Sequence, residues 1–250
     1  MLIRALAIVR NGRKLLRTET TAYPYLGVGR RRGDDSATAF TLQLLSRVNQ
    51  SLNLYEEGIG QAKEALGIFE RIGTMKWQGQ CLGDLARLLL ANKQLEEAEN
   101  VASRAINLAI EEGQDILVCR LHRVLGGIYT SKGEKKRAIH HFEAAIGIAS
   151  PFNWDDVLFW NHYGLADLFC LEGEFGEANT HIKQARSHAV DDPYQLARAM
   201  EMQALIWYQQ LRFEEARSEA SHALEIYEGL GAAKALERCT HLLQDVEQAM

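Results

Sequence analysis

The sequence predicts an all-α fold, a solenoid of antiparallel helix pairs, and three observations carry that reading. Small residues recur at a nearly constant step: Gly58, Ala98, Ala138, Ala178 and Ala216 stand 40, 40, 40 and 38 residues apart. Seven residues after each comes an alanine (Ala65, Ala105, Ala145, Ala185, Ala223), and twelve before each comes another small residue (Ser46, Ala86, Gly126, Ala166, Ala204). A helix approaches its neighbour closely only where Cβ is absent or minimal, so these three positions, kept in register over five units, mark helix crossings. The composition agrees: helix formers dominate, the 250 residues include 3 Pro, and no long alternating β-branched run occurs.

Residues 1–10 parallel the second half of a repeat, because Arg4-Ala5-Leu6 matches Arg104-Ala105-Ile106. A mitochondrial presequence competes with that reading, since no acid precedes Glu19, but the match to later helices accounts for the same residues. Residues 11–36 break the pattern. Tyr23-Pro24-Tyr25, Gly27, Gly29, Arg30-Arg31-Arg32 and Gly33 predict an irregular basic insertion whose arginines suit a weak anionic contact. Its glycines have the wrong spacing for a dinucleotide loop, and no Lys-Ser/Thr pair follows for a phosphate loop.

Residues 37–250 form the array, about five hairpins in all. Bulky residues precede the small site of each first helix: Leu45, Leu85, Leu125 and Leu165, with Gln203 the exception. Three residues beyond it stand Asn49, Leu89, Tyr129, Phe169 and Trp207, so aromatics fill that gap in the last three units. Gly73, Gly113, Asn153 and Gly231 follow the second-helix alanines by eight residues, where a left-handed residue closes a helix. The fourth unit replaces that site with Asp192-Pro193, an N-cap followed by Pro at the first helical position. The pairs Asp34-Asp35, Asp155-Asp156 and Asp191-Asp192 all precede first helices, which suits capping and the helix dipole better than a metal. Residues 232–249 predict a solitary C-terminal helix that covers the last repeat.

Net charge is -5, too mild to argue for nucleic acid or a membrane surface, although residues 1–36 carry 8 Lys and Arg against 3 Asp and Glu. No apolar run reaches the roughly 18 residues of a membrane span. Cys81, Cys119, Cys170 and Cys239 are widely separated, which suits reduced thiols and a cytoplasmic location.

Leu125-Gly126, Tyr129, Gly133, Ala138, Phe142 and Ala145, with Ser150-Pro151 behind them, resemble the tetratricopeptide repeat signature. The usual repeat is about 34 residues. The longer step here is similar to the variants found in kinesin light chains and in fungal arrays attached to STAND-type NTPases. The resemblance implies a right-handed superhelix whose first helices line a concave groove. It also implies a protein-interaction scaffold; no residue pattern points to a cofactor, a metal or catalysis, and an exposed first hairpin leaves self-association open. A larger STAND-type protein of which this array is a piece is the second reading. The positions where some co-chaperone members grip a terminal carboxylate hold other residues here, which disfavours that clamp.

In this register the exposed side of the first helices offers Phe40, Gln43 and Arg47, then Gln80, Arg87 and Leu90, then Arg120, Arg123 and Thr130. Trp160, Tyr163, Asp167, Arg198, Glu201 and Tyr208 complete it. Arginines dominate the first three units and aromatics the last two. The expected occupant is a protein or peptide segment with acidic groups near the arginines and an apolar anchor near Trp160 and Tyr163.

Enzyme chemistry finds little support. His140 and His141 are adjacent on a helix and point to different faces, and His181 and His188 lack a third ligand nearby in sequence. No Ser or Cys sits on a recognisable nucleophile turn.

Overall fold

The computed structural model describes the backbone from Gly12 and the side chains from Ala22, so the half-repeat expected at residues 1–10 lies outside the described residues. Twelve α-helices follow in order among the described residues: α1 (Gly12–Arg32), α2 (Asp35–Leu52), α3 (Tyr55–Arg71), α4 (Met75–Ala91), α5 (Leu95–Glu111) and α6 (Asp115–Lys132). Then come α7 (Lys135–Ala149), α8 (Asp155–Leu171), α9 (Phe175–Ser187), α10 (Pro193–Gln209), α11 (Phe213–Leu230) and α12 (Ala233–Ala249), with a short 3-10 turn at Ser150–Phe152. No strand occurs among the described residues. The helices divide into two compact units, one ending at Ala138 and the other running Ile139–Met250.

In the N-terminal unit α2 packs on α3 and α4 on α5; in the C-terminal unit α8 packs on α9 and α10 on α11. Tight turns join each pair, which makes the partners antiparallel neighbours. First helices also touch one another, α2 with α4, α4 with α6, α8 with α10, and α10 with α12. All fifteen small positions of the register are buried. Gly58 shows why: a Cβ there would stand 2.8 Å from Leu88 Cδ2 and 3.1 Å from the Ser46 carbonyl oxygen.

The closing residues behave as their chemistry requires. Gly73, Gly113, Asn153 and Gly231 all have positive φ, and Asp192 accepts hydrogen bonds from the Tyr194 and Gln195 amides at 3.0 and 3.2 Å. The turn inside each pair uses the same left-handed geometry, at Asn53, Lys93, Gly133, Gly173 and Leu211.

Residues 11–36 differ from expectation. Most of this segment is the 21-residue helix α1, with Pro24 inside it. Ala22 and Leu26 are buried, and a Cβ on Gly29 would lie 2.8 Å from Thr38 Oγ1. Spaced four and three residues apart, they form one helical stripe against α2, and that packing outweighs the poor helix propensity of Gly and Pro.

Candidate functional site

The ten candidate residues divide between the two units, four in the first and six in the second. In the N-terminal unit Arg47 on α2 and Arg87 on α4 both turn towards Asp84, a buried acid on α4. Arg87 Nη2 donates to Asp84 Oδ1, Arg47 Nε lies 4.0 Å from the same oxygen, and Gln43 Nε2 donates to Oδ2 at 2.9 Å. Gln43, expected on the exposed side, is therefore buried, because its amide is needed inside. Arg120 is exposed and Arg123 half-buried on α6. Further on, Glu99 of α5 receives Lys132 Nζ at 2.6 Å, the Tyr129 hydroxyl at 2.5 Å and Arg137 Nη2 at 3.1 Å. The hydrogen bonds from Lys132 and Tyr129 hold the Glu99 pKa down to about 2.

The C-terminal unit brings its six candidates to α8 and α10. Trp160, Tyr163 and Asp167 stand at i, i+3 and i+7 on α8, so they share one face, and all three are partly exposed. The Trp160 and Tyr163 rings meet edge to face at 5.8 Å. Arg198 on α10 donates to the Tyr163 hydroxyl at 2.7 Å and lies over its ring at 4.8 Å from the centroid. Burial pushes the Tyr163 phenol up to about 12.

Glu201 does not reach solvent as the register predicts; it is 6% exposed. Arg198 Nη1 contacts its Oε2 at 3.3 Å, the Tyr227 hydroxyl donates to Oε2 at 2.8 Å, and Arg238 binds both oxygens, with Nη2 at 2.7 Å from Oε2. Two arginines and a phenol offset the cost of burying this carboxylate. Arg238 and Tyr227 had no place in the sequence reading, because they lie on α11 and α12, outside the first-helix register. Tyr208 is half-buried near the end of α10, where it meets Phe213 at 6.0 Å.

The histidines assemble differently from expectation. His162 of α8 lies between His181 and His188: its Nδ1 is 3.2 Å from His181 Nδ1, and its ring is parallel to that of His188 at 6.0 Å. His188 Nδ1 is 2.9 Å from Asp155 Oδ1. Burial first, then the neighbouring His181 and His188, bring the His162 pKa down to about 4. Among the described residues no group of three or more His, Cys, Asp or Glu is placed to hold a metal ion. All four thiols are buried, and desolvation raises the pKa of each. No described helix is long and apolar enough to cross a membrane.

The fold has many solved counterparts. A structure of NprR in complex with its cognate peptide NprX superposes with a TM-score of 0.74 at 12% identity, covering 95% of this chain and 67% of that one. BtubC (BKLC) from P. vanneervenii gives 0.67 at 16% identity, covering 86% and 91%. A Podosopora anserina protein described as a kinesin light chain with nearly identical TPR-like repeats gives 0.57 at 15% identity, covering 75% and 93%. The fold is TPR-like. No family model matches the sequence, and no curated protein matches it.

Proposed function

We propose that this chain is a non-catalytic TPR-like scaffold that binds a peptide or protein segment along the first-helix face of its C-terminal unit. The observation that carries the reading is the stripe Trp160, Tyr163 and Asp167 on α8, which keeps two large aromatic rings and a carboxylate partly open beside Arg198. Packed aromatic pairs that retain exposure supply large contact area at small entropic cost, as anchor residues require. NprR, which shares the fold, was solved with a peptide bound. In the N-terminal unit Arg120 and Arg123 on α6 are separate candidates, whereas Arg47 and Arg87 serve Asp84 and act as positioning residues.

Panning the full chain against a random-peptide phage library tests this. Selected peptides, re-synthesised and measured by fluorescence anisotropy, should bind at least about tenfold more weakly to Trp160→Ala, because a buried aromatic anchor contributes about 2 kcal/mol or more. Peptides that bind the Trp160→Ala protein equally well would place the site elsewhere.

A further inference from the structure

The arginines on this face are already matched by the chain's own acids, and one acid is not matched. Arg198 and Arg238 share Glu201. Asp167 makes no hydrogen bond and no ion pair with any described residue. It sits one turn beyond Tyr163 on α8, half-buried. Desolvation raises its pKa even though Arg198 pulls the other way, so the nearby guanidinium under-compensates the charge. A partly desolvated carboxylate in that state gains from any cation able to reach it.

The neighbours on α8 fit a particular kind of cation. Trp160 and Tyr163 precede Asp167 on the same face, and Arg198 already occupies one side of the Tyr163 ring. Lysine and arginine combine a charged head with an apolar stem that lies well along aromatic surface. An incoming acid would instead meet Asp167, while Arg198 and Arg238 are already held in hydrogen bonds to the buried Glu201.

We propose that the peptide bound on this face presents a Lys or Arg side chain, whose head pairs with Asp167 while its stem lies along Trp160 and Tyr163. The inference rests on the peptide-binding reading above and opposes in sign the acidic segment that the first-helix arginines suggest.

The test uses peptides selected by the full chain from the same random library. They should be enriched in Lys and Arg over the unselected pool, and replacing that residue by Gln should weaken binding about tenfold, the scale of one charge-assisted hydrogen bond. Asp167→Asn should lose a similar factor and become insensitive to the Gln replacement, while Asp167→Glu should keep the preference for a basic peptide. Selected peptides rich in Asp and Glu, or Asp167→Asn binding with wild-type affinity, would overturn the proposal and leave peptide binding intact. Peptides that bind independently of Trp160 would overturn both readings.

Discussion

Asp84 and Glu201 are both acids buried on first helices, 7% and 6% exposed, and each faces two arginines. Asp84 draws its partners from α2 and α4 alone, and the Arg47 and Arg87 side chains remain 33% and 31% exposed. Glu201 draws on three helices, with Arg198 from α10, Tyr227 from α11 and Arg238 from α12. The first arrangement links two neighbouring first helices at the edge of solvent. The second ties α12 to the hairpin beneath it, with Arg198 withdrawn to 18% side-chain exposure while Arg238 stays 47% exposed. Asp84 and Glu201 thus each tie neighbouring helices together, whereas the half-buried Asp167 has a nearby guanidinium that under-compensates its charge, and there a basic ligand has something to gain.

Neutralising the two acids should have unequal consequences for stability. Glu201→Gln should destabilise by about 3–5 kcal/mol, because it strands Arg198 beside a neutral group in a buried site. Asp84→Asn should cost about 1–3 kcal/mol, since its arginines can turn towards water. Urea denaturation of both variants checks the order, and equal losses would erase the distinction between the units.

Acid should sharpen the same contrast. His162 is 8% exposed, and its pKa is held at about 4 against an ordinary 6.5. The folded state favours the neutral ring, so the unfolded chain takes up the proton first as pH falls. The stabilisation is complete above about pH 6.5 and is lost progressively towards pH 4, for a total of roughly 3 kcal/mol. The Glu99 contribution runs in a lower window, present above about 4.5 and lost towards 2. Denaturation between pH 7 and pH 4.5 should therefore weaken wild type, and His162→Gln should remove most of that slope.

Smaller effects test the helix crossings. A Cβ on Gly164 would lie 2.5 and 2.7 Å from the buried Phe142 ring, so Gly164→Ala should cost about 1–3 kcal/mol despite better helix propensity. Gly67, in the middle of α3, has nothing within 4 Å of that position, and Gly67→Ala should stabilise by about 0.5–1 kcal/mol. Thermal melts that move both variants in one direction would contradict the packing described.

The crossings were legible because one-atom side chains leave little latitude: a position where helices touch admits Gly, Ala or Ser and little else. The glycine and asparagine caps were legible for a similar reason, yet Lys93 and Leu211 adopt the same left-handed turn without advertising it. There the turn is imposed by packing of the flanking helices, and the residue tolerates it. Helix α1 was hidden by Pro24 and three glycines, since a stripe that includes Gly29 does not look apolar. The candidate face was half legible. Register placed Trp160, Tyr163 and Asp167 on one side of α8, but Glu201 occupies the Tyr163 position of the next repeat and is buried, because its fate depends on Arg238, 37 residues away.

Hydrogen–deuterium exchange of the full chain, with and without a selected peptide, locates the binding face. Binding along the first helices of the C-terminal unit should slow exchange in α8 and α10 and leave the second helices α9 and α11 nearly unchanged. Protection concentrated in α9 and α11, or confined to the N-terminal unit, would contradict it.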